Sequence, residues 1–299
     1  MMEGMKNAFE FMKGIAERGL RNQKRNQGDY EDENGLLICG RCGEPRQKVM
    51  SFDDPTEEDP SHTSSLIVTA MCRCEREIEE KMKKADAAEK SMERIRKLRK
   101  MSLIDEKFAD SNFENFRTNR HNARNLKLCR RYAEKFDEMI EKNQGLIMWG
   151  NVGTGKSYAA ACIANYLLDR RVPVIMTSFV KLLEVIQKSG GDQESEILAR
   201  LNHAKLVIFD DLGAERGTDY ALEKVYNIVD SRYRKKLPMI LTTNLSLDDM
   251  QGETDIRYSR IYDRIFEICY PMQFTGPSWR VREASSRFDE MEKLLDEEG

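Results

Sequence analysis

The stretch Gly150-Asn-Val-Gly-Thr-Gly-Lys-Ser157 sets glycines, a lysine and a serine at the spacing G-x-x-x-x-G-K-[ST], which suits a nucleoside triphosphate. Glycines let the loop turn so that successive backbone N–H groups point inward, and a helix starting there offers its positive end to phosphate. Lys156 can reach the β- and γ-phosphates as a compact charge. The Ser157 hydroxyl can take one position on Mg²⁺, an ion held by few protein ligands plus substrate phosphates. Gly150, Asn151, Val152, Gly153, Thr154, Gly155, Lys156, Ser157 and the adjoining Tyr158 are therefore the candidate nucleotide-binding residues.

Further along, Leu206-Val-Ile-Phe209 runs into Asp210-Asp211. Apolar residues followed by acids are what a central parallel strand looks like when it delivers carboxylates at its C-terminal edge, where open α/β sheets bind ligands. Asp210 would hold the Mg²⁺ shell, directly or through water, and Asp211 would orient or deprotonate the attacking water. Met239-Ile-Leu-Thr-Thr-Asn244 is a further strand, ending in an amide that can both donate and accept. Asn244 could position the water or sense the γ-phosphate; it could equally cap a turn before Ser246. Arg257, Arg260, Arg264, Arg280 and Arg282 crowd one region with Pro271 and Trp279. Arginine suits phosphate charge, and one supplied by a neighbouring subunit would act as a finger.

A second chemistry is carried by Cys39-Gly-Arg-Cys42 and Cys72-Arg-Cys74. A C-x-x-C knuckle wraps two thiolates around a tetrahedral ion, and the later pair can supply the other two. The set resembles a zinc ribbon, with one intervening residue in the second pair where two are usual and with His62 as an alternative ligand. Structural Zn²⁺ is expected there. Cys129, Cys162 and Cys269 stand alone in apolar or helical surroundings and read as core.

The elements that must position these groups can be read around them. Leu146–Trp149 is an apolar strand leading into the loop, and Tyr158–Leu168 is an Ala- and Leu-rich helix leaving it. A strand is expected over Val172–Thr177, and helices over Lys181–Lys188 and Asn122–Lys142. Phe108, Phe113 and Phe116 either pack beside the base or fill core. Glu75–Met101 is almost entirely charged, with apolar residues recurring at three and four, so it reads as a connecting helix with a basic second half. An amphipathic helix is expected over the first 25 residues, a polar linker over Asn26–Asn34, a protruding loop over Ser51–Ser64, a strand over Leu66–Thr69 and an acidic helix end over Asp289–Glu298.

The chain has 299 residues, with 49 Lys and Arg against 52 Asp and Glu, a net charge of −3. Any nucleic-acid contact must therefore be a local patch. The length suggests two domains or one with an extension. No apolar run approaches the roughly 18–20 residues that span a bilayer, and the first residues lack a secretory pattern. A soluble, cytoplasmic protein without a membrane partner is expected.

Taken together, the phosphate loop, Leu-Val-Ile-Phe-Asp-Asp-Leu-Gly213, Thr-Thr-Asn244 and Arg-Ile-Tyr-Asp-Arg264 resemble the bacterial helicase loaders of the DnaC/DnaI type, AAA+ ATPases similar to the IstB transposition helper. The resemblance covers roughly residues 112–282, and a zinc-binding module ahead of the ATPase looks like the DnaI arrangement. It implies ATP, Mg²⁺ and Zn²⁺ as cofactors. Lys156 and Ser157 correspond to Walker A, Asp210 and Asp211 to Walker B, Asn244 to sensor 1 and Arg280 to sensor 2. Arg260 matches the finger position, with Arg264 its rival. An Asp at the second acidic position fits slow, switch-like hydrolysis.

The expected fold is thus an α/β P-loop NTPase with a parallel sheet flanked by helices, preceded by a small zinc-binding domain and a helical linker. The segments would be an N-terminal helix (1–34), a zinc-ribbon-like partner-binding domain (35–75), a charged linker helix (76–107), the ATPase (108–285) and an acidic tail (286–299). The implied function is ATP-dependent delivery of a replicative hexameric helicase onto single-stranded DNA by a homo-oligomeric loader. The rivals are a transposition helper and an adaptor that never hydrolyses its nucleotide.

Overall fold

The computed structural model describes residues 2–53, 62–188, 194–214 and 217–296. In chain order the elements are α1 (Met2–Asn22), β1 (Tyr30–Glu31), β2 (Leu37–Ile38), β3 (Gln47–Asp53), β4 (Thr63–Thr69), α2 (Arg73–Met101), a 3₁₀ turn (Glu106–Phe108), α3 (Ala123–Glu134), α4 (Phe136–Glu141), β5 (Gly145–Gly150), α5 (Lys156–Asp169), β6 (Val174–Ser178), α6 (Phe179–Lys188), α7 (Glu194–His203), β7 (Leu206–Leu212), α8 (Asp219–Arg234), β8 (Met239–Thr243), α9 (Leu247–Gln251), α10 (Ile256–Ile268), β9 (Cys269–Phe274) and α11 (Trp279–Asp296). The chain divides into two compact units, Met1–Ser91 and Met92–Gly299.

In the first unit two small antiparallel pairs, β1 with β2 and β3 with β4, carry the cysteine knuckle. Arg46 is buried and ties the unit together: its guanidinium is paired with Asp29 and Glu75 and donates to the carbonyl of Lys24. A buried arginine needs such partners, because a desolvated charge without them is costly. The β3–β4 pairing runs from Gln47↔Thr69 to Asp53↔Thr63, so strand occupies both ends of the expected Ser51–Ser64 loop. The middle of that stretch, 54–61, lies outside the described residues.

The second unit is built on a five-stranded sheet of order β6-β7-β8-β5-β9 with every pair parallel. Apart from the edge strand β9, its strands are buried along most of their length, as parallel strands covered by crossover helices must be. Leu206 and Ile208 pack with α3 and α5, and Val207 and Phe209 pack with α6, α8 and α10. After β5 the chain crosses to β6 at the far edge and works back through β7 to β8, which lies beside β5. Ligands of open α/β sheets bind at the strands' C-terminal ends where such a reversal of order opens a crevice, and here that place is the end of β5 and β8.

The expected Asn122–Lys142 helix is two helices. The backbone leaves helical geometry at Lys135 (φ −102°, ψ 27°), and Tyr132 and Phe136 on either side are both buried. β9 is an edge strand, where Pro271 forfeits no interior ladder bond. Arg232 on α8 is fully buried and donates to the carbonyls of Leu201, Ala204 and Pro238 at 2.6, 3.0 and 2.7 Å. It ties the α7–β7 turn to the start of β8, and burial pushes its pKa down to about 9. Among the described residues no helix is long and apolar enough to cross a membrane.

Candidate functional site

The loop from Gly150 to Ser157 leaves β5 and enters α5, which begins at Lys156. Its shape is fixed by its neighbours. Gly150 (φ 130°) passes so close to β9 that a β-carbon there would collide with the Phe274 carbonyl oxygen, and one at Gly153 (φ 78°) would collide with Ser278. The carbonyl of Gly153 accepts from Trp279 N–H at 2.9 Å, and Thr154 Oγ1 donates to the Asn151 carbonyl at 2.8 Å.

Above the loop lies a cavity of about 470 Å³. Residues 152–158 form its floor, Asp211, Asn244 and Arg280 reach it from three other elements, and Phe108, Phe116 and Trp279 make an aromatic wall beside Asn115 and Arg117. A lining that combines converging polar groups with aromatic rings fits a ligand that has both charged and flat apolar parts. Phe108 and Phe116 belong to the core and also line the cavity, whereas Phe113 is in the core alone. Phe116 meets Tyr158 edge-on at 5.5 Å.

Lys156 is 5% exposed, and its ammonium donates to the carbonyls of Gly150 and Asn151 and to Asn244 Oδ1 at 2.7, 2.8 and 2.9 Å. Burial draws its pKa down, against the pull of Asp211 and Asp210. Burial raises the Asp211 carboxyl, Asp210 raises it further, and Lys156 opposes both. A carboxylate made more basic in this way suits proton abstraction. Asp210 does not line the cavity; it sits one residue behind, where its Oδ1 accepts from Thr242 Oγ1 at 2.6 Å. Thr242 was not singled out in the sequence, although it lies two residues before Asn244.

The arginines part company. Arg264 is half-buried, donates to Asp230 Oδ1 and to the Tyr226 hydroxyl, each at 2.7 Å, and lies 4.7 Å above the Tyr226 ring. Arg257 is paired with Asp255 and Asp219. Arg260, one helical turn along α10, is exposed and makes no side-chain hydrogen bond or ion pair among the described residues. It lies outside the cavity that Arg280 lines.

In the first unit the ligand atoms of Cys39, Cys42, Cys72 and Cys74 all lie within 4.8 Å of one another. Four thiolates about 2.3 Å from Zn²⁺ would be about 3.8 Å apart, so the donor set and its spacing fit one tetrahedral ion. The knuckle turn is closed by Gly43 N–H donating to the Cys39 carbonyl at 2.8 Å. The Cys42 thiol is held down to about 6, chiefly by the backbone N–H of Cys74 and then by that of Glu44. α2 begins at Arg73, between the later two cysteines, whose ligand atoms reach the same group with a single intervening residue. His62 is exposed and outside this group.

The model of the family described as IstB-like ATP binding protein matches residues 63–287. The replicative helicase loader DnaC of Escherichia coli strain K12 is 30% identical over 157 residues, which are 51% of this chain and 62% of DnaC. The replicative helicase loader DnaI of Bacillus subtilis strain 168 is 26% identical over 152 residues, 46% of this chain and 48% of DnaI. The chain thus spans less than two thirds of either relative. Among solved structures, a crystal structure of DnaI superimposes with a TM-score of 0.51 at 24% identity, covering 58% of this chain and 95% of that one, a likeness of fold. With more than half of its length matched by the family model, the chain belongs to the IstB-like ATP-binding protein family.

Proposed function

We propose that this chain is an AAA+ ATPase that delivers a replicative hexameric helicase onto single-stranded DNA. The observation that carries the reading is the single cavity in which Lys156, Ser157, Asp211, Asn244 and Arg280 meet an aromatic wall, within a family whose members bind ATP. The loop amides and Lys156 would hold the triphosphate, and Ser157 directly and Asp210 through water would hold Mg²⁺, which supplies charge neutralisation when bound. Asp211 would take the proton of the attacking water while Asn244 orients it and Arg280 meets the phosphate charge. The four cysteines would hold Zn²⁺ and shape the unit that grips the helicase. Delivery is tested by incubating the full chain, ATP, and the hexameric helicase of the same genome with circular single-stranded DNA coated by single-strand-binding protein. We expect helicase retention on the circle to rise at least tenfold with ATP. Capture of a transposase in place of the helicase, or a wild type without turnover even on single-stranded DNA, would remove the reading.

The finger role is proposed for Arg260 over Arg264. A group that must reach into a neighbouring subunit has to be free to leave its own, and Arg264 is engaged by Asp230 and Tyr226. Arg260→Ala subunits are expected to bind ATP as wild type does and to depress turnover more than in proportion when mixed with it. Lost nucleotide binding by the variant alone, or inhibition that merely follows dilution, would count against action in trans.

A further inference from the structure

At the end of β7 the ladder with β8 slips: Phe209 pairs with Leu241 and Leu212 with Thr243, leaving Asp210 and Asp211 opposite Thr242 alone. Two residues facing one is a β-bulge, a device that re-aims a side chain and leaves a backbone group without its ladder partner. Asp211 takes the strain, with φ at 57°, a left-handed conformation seldom adopted by residues other than glycine. Its N–H donates to Thr242 Oγ1 at 2.9 Å. The same hydroxyl donates to Asp210 Oδ1 at 2.6 Å. One oxygen thus engages the backbone of one acid and the side chain of the other.

The next residue completes the fixture. Thr243 Oγ1 donates to the Leu212 carbonyl at 2.8 Å and accepts from Leu245 N–H at 3.1 Å. Successive side chains of a strand point to opposite faces, so the two threonines grip the bulge from both sides of the sheet. Both are fully buried. Asn244 then bonds Lys156. The consecutive residues Thr242, Thr243 and Asn244 therefore connect the acids, the bulge and the phosphate-loop lysine.

The geometry points to Thr242 as a positioning residue of the ATPase site, whose hydroxyl holds the bulge that turns Asp211 into the cavity while Asp210 stays behind it. This rests on the ATPase reading above. A supporting residue of this kind sets the geometry of the groups that act, and its loss slows the reaction on the order of 10- to 100-fold. Binding should be spared, because Thr242 is not among the residues that line the cavity.

Thr242→Val removes the hydroxyl at nearly constant shape, Thr242→Ala removes it without requiring the valine methyls to fit, and Thr242→Ser restores it. We expect kcat for ATP hydrolysis to fall about 10- to 100-fold in the Val and Ala variants, with the Kd for ATP within about threefold of wild type and the Ser variant near wild type in both. Amide exchange of Asp211, followed by NMR without nucleotide, should accelerate at least tenfold in Val and Ala and not in Ser. Val and Ala variants with wild-type turnover, or a Ser variant as slow as Val, would overturn the positioning role. Unchanged exchange of Asp211 in Val and Ala would overturn the bulge contact itself, whether or not the protein hydrolyses ATP. A wild type without turnover would remove the ATPase reading, while the exchange comparison would still decide what Thr242 holds.

Discussion

Stripping metal from the full chain should unfold the first unit and leave the second folded. The reason lies in how little apolar material the first unit buries. Among its described side chains the buried apolar set is Ala16, Leu37, Ile38, Cys39 and Cys72, and two of these five are proposed metal ligands. A core of that size cannot offset the ordering of the chain around it. In small metal-dependent folds the binding energy is folding energy, about 10–16 kcal/mol for structural zinc at neutral pH. Purified protein is expected to carry one equivalent of zinc and to lose it with Cys42→Ser and Cys74→Ser together. After loss, residues 30–75 should become sensitive to protease. Trp149 and Trp279, both in the second unit, should keep their fluorescence. Protein purified without zinc and showing an unchanged digestion pattern would remove the metal from this account.

Replacing Lys156 by Ala should weaken ATP binding by at least two orders of magnitude with little effect on the fold. The ammonium is buried beside Asp211 and Asp210, and Arg280 and, less strongly, Lys107 are further cations influencing the site. Without Lys156 a triphosphate would approach two carboxylates with their nearest opposing charge removed. A unit charge at about 4 Å interacts by about 4 kcal/mol at an effective dielectric of 20, which is roughly a thousandfold in affinity. The hydrogen bonds lost are those to Gly150, Asn151 and Asn244. Titration calorimetry gives the affinity and thermal unfolding the control. A Lys156→Ala protein that binds ATP nearly as tightly as wild type would mean that phosphate lies elsewhere.

Much of the second unit could be read from residue order because its signals are local. The strand before the phosphate loop, the helix after it, the Leu206–Phe209 run and the Met239–Thr243 run are continuous apolar segments with clear boundaries, and all four are present. β9 escaped because an edge strand is half exposed and Pro271 reads as a breaker. Arg232 could not be recognised as interior, since charge argues for the surface and its acceptors are carbonyls, which any residue supplies. Arg260 and Arg264 sit one turn apart on the same helix, so spacing cannot separate them. What distinguishes them is Tyr226 and Asp230 on α8, far away in the chain. The bulge was hidden for a related reason: Asp210-Asp211 looked like the end of a strand, whereas the strand continues to Leu212.

The close approach of the phosphate loop to β9 and to the start of α11 has a thermodynamic consequence. Gly150 is pressed against the Phe274 carbonyl and Gly153 against Ser278 and Trp279, so contacts within the fold already select the loop's left-handed turns. The conformational entropy of a glycine-rich segment is large, and here it is surrendered when the polypeptide folds. A nucleotide arriving later meets a ready-made cup, and its affinity reflects charge and stacking with little penalty for ordering the backbone. The first glycine of the motif is also a packing residue of the sheet, so a side chain at position 150 would harm the protein even if no nucleotide ever bound.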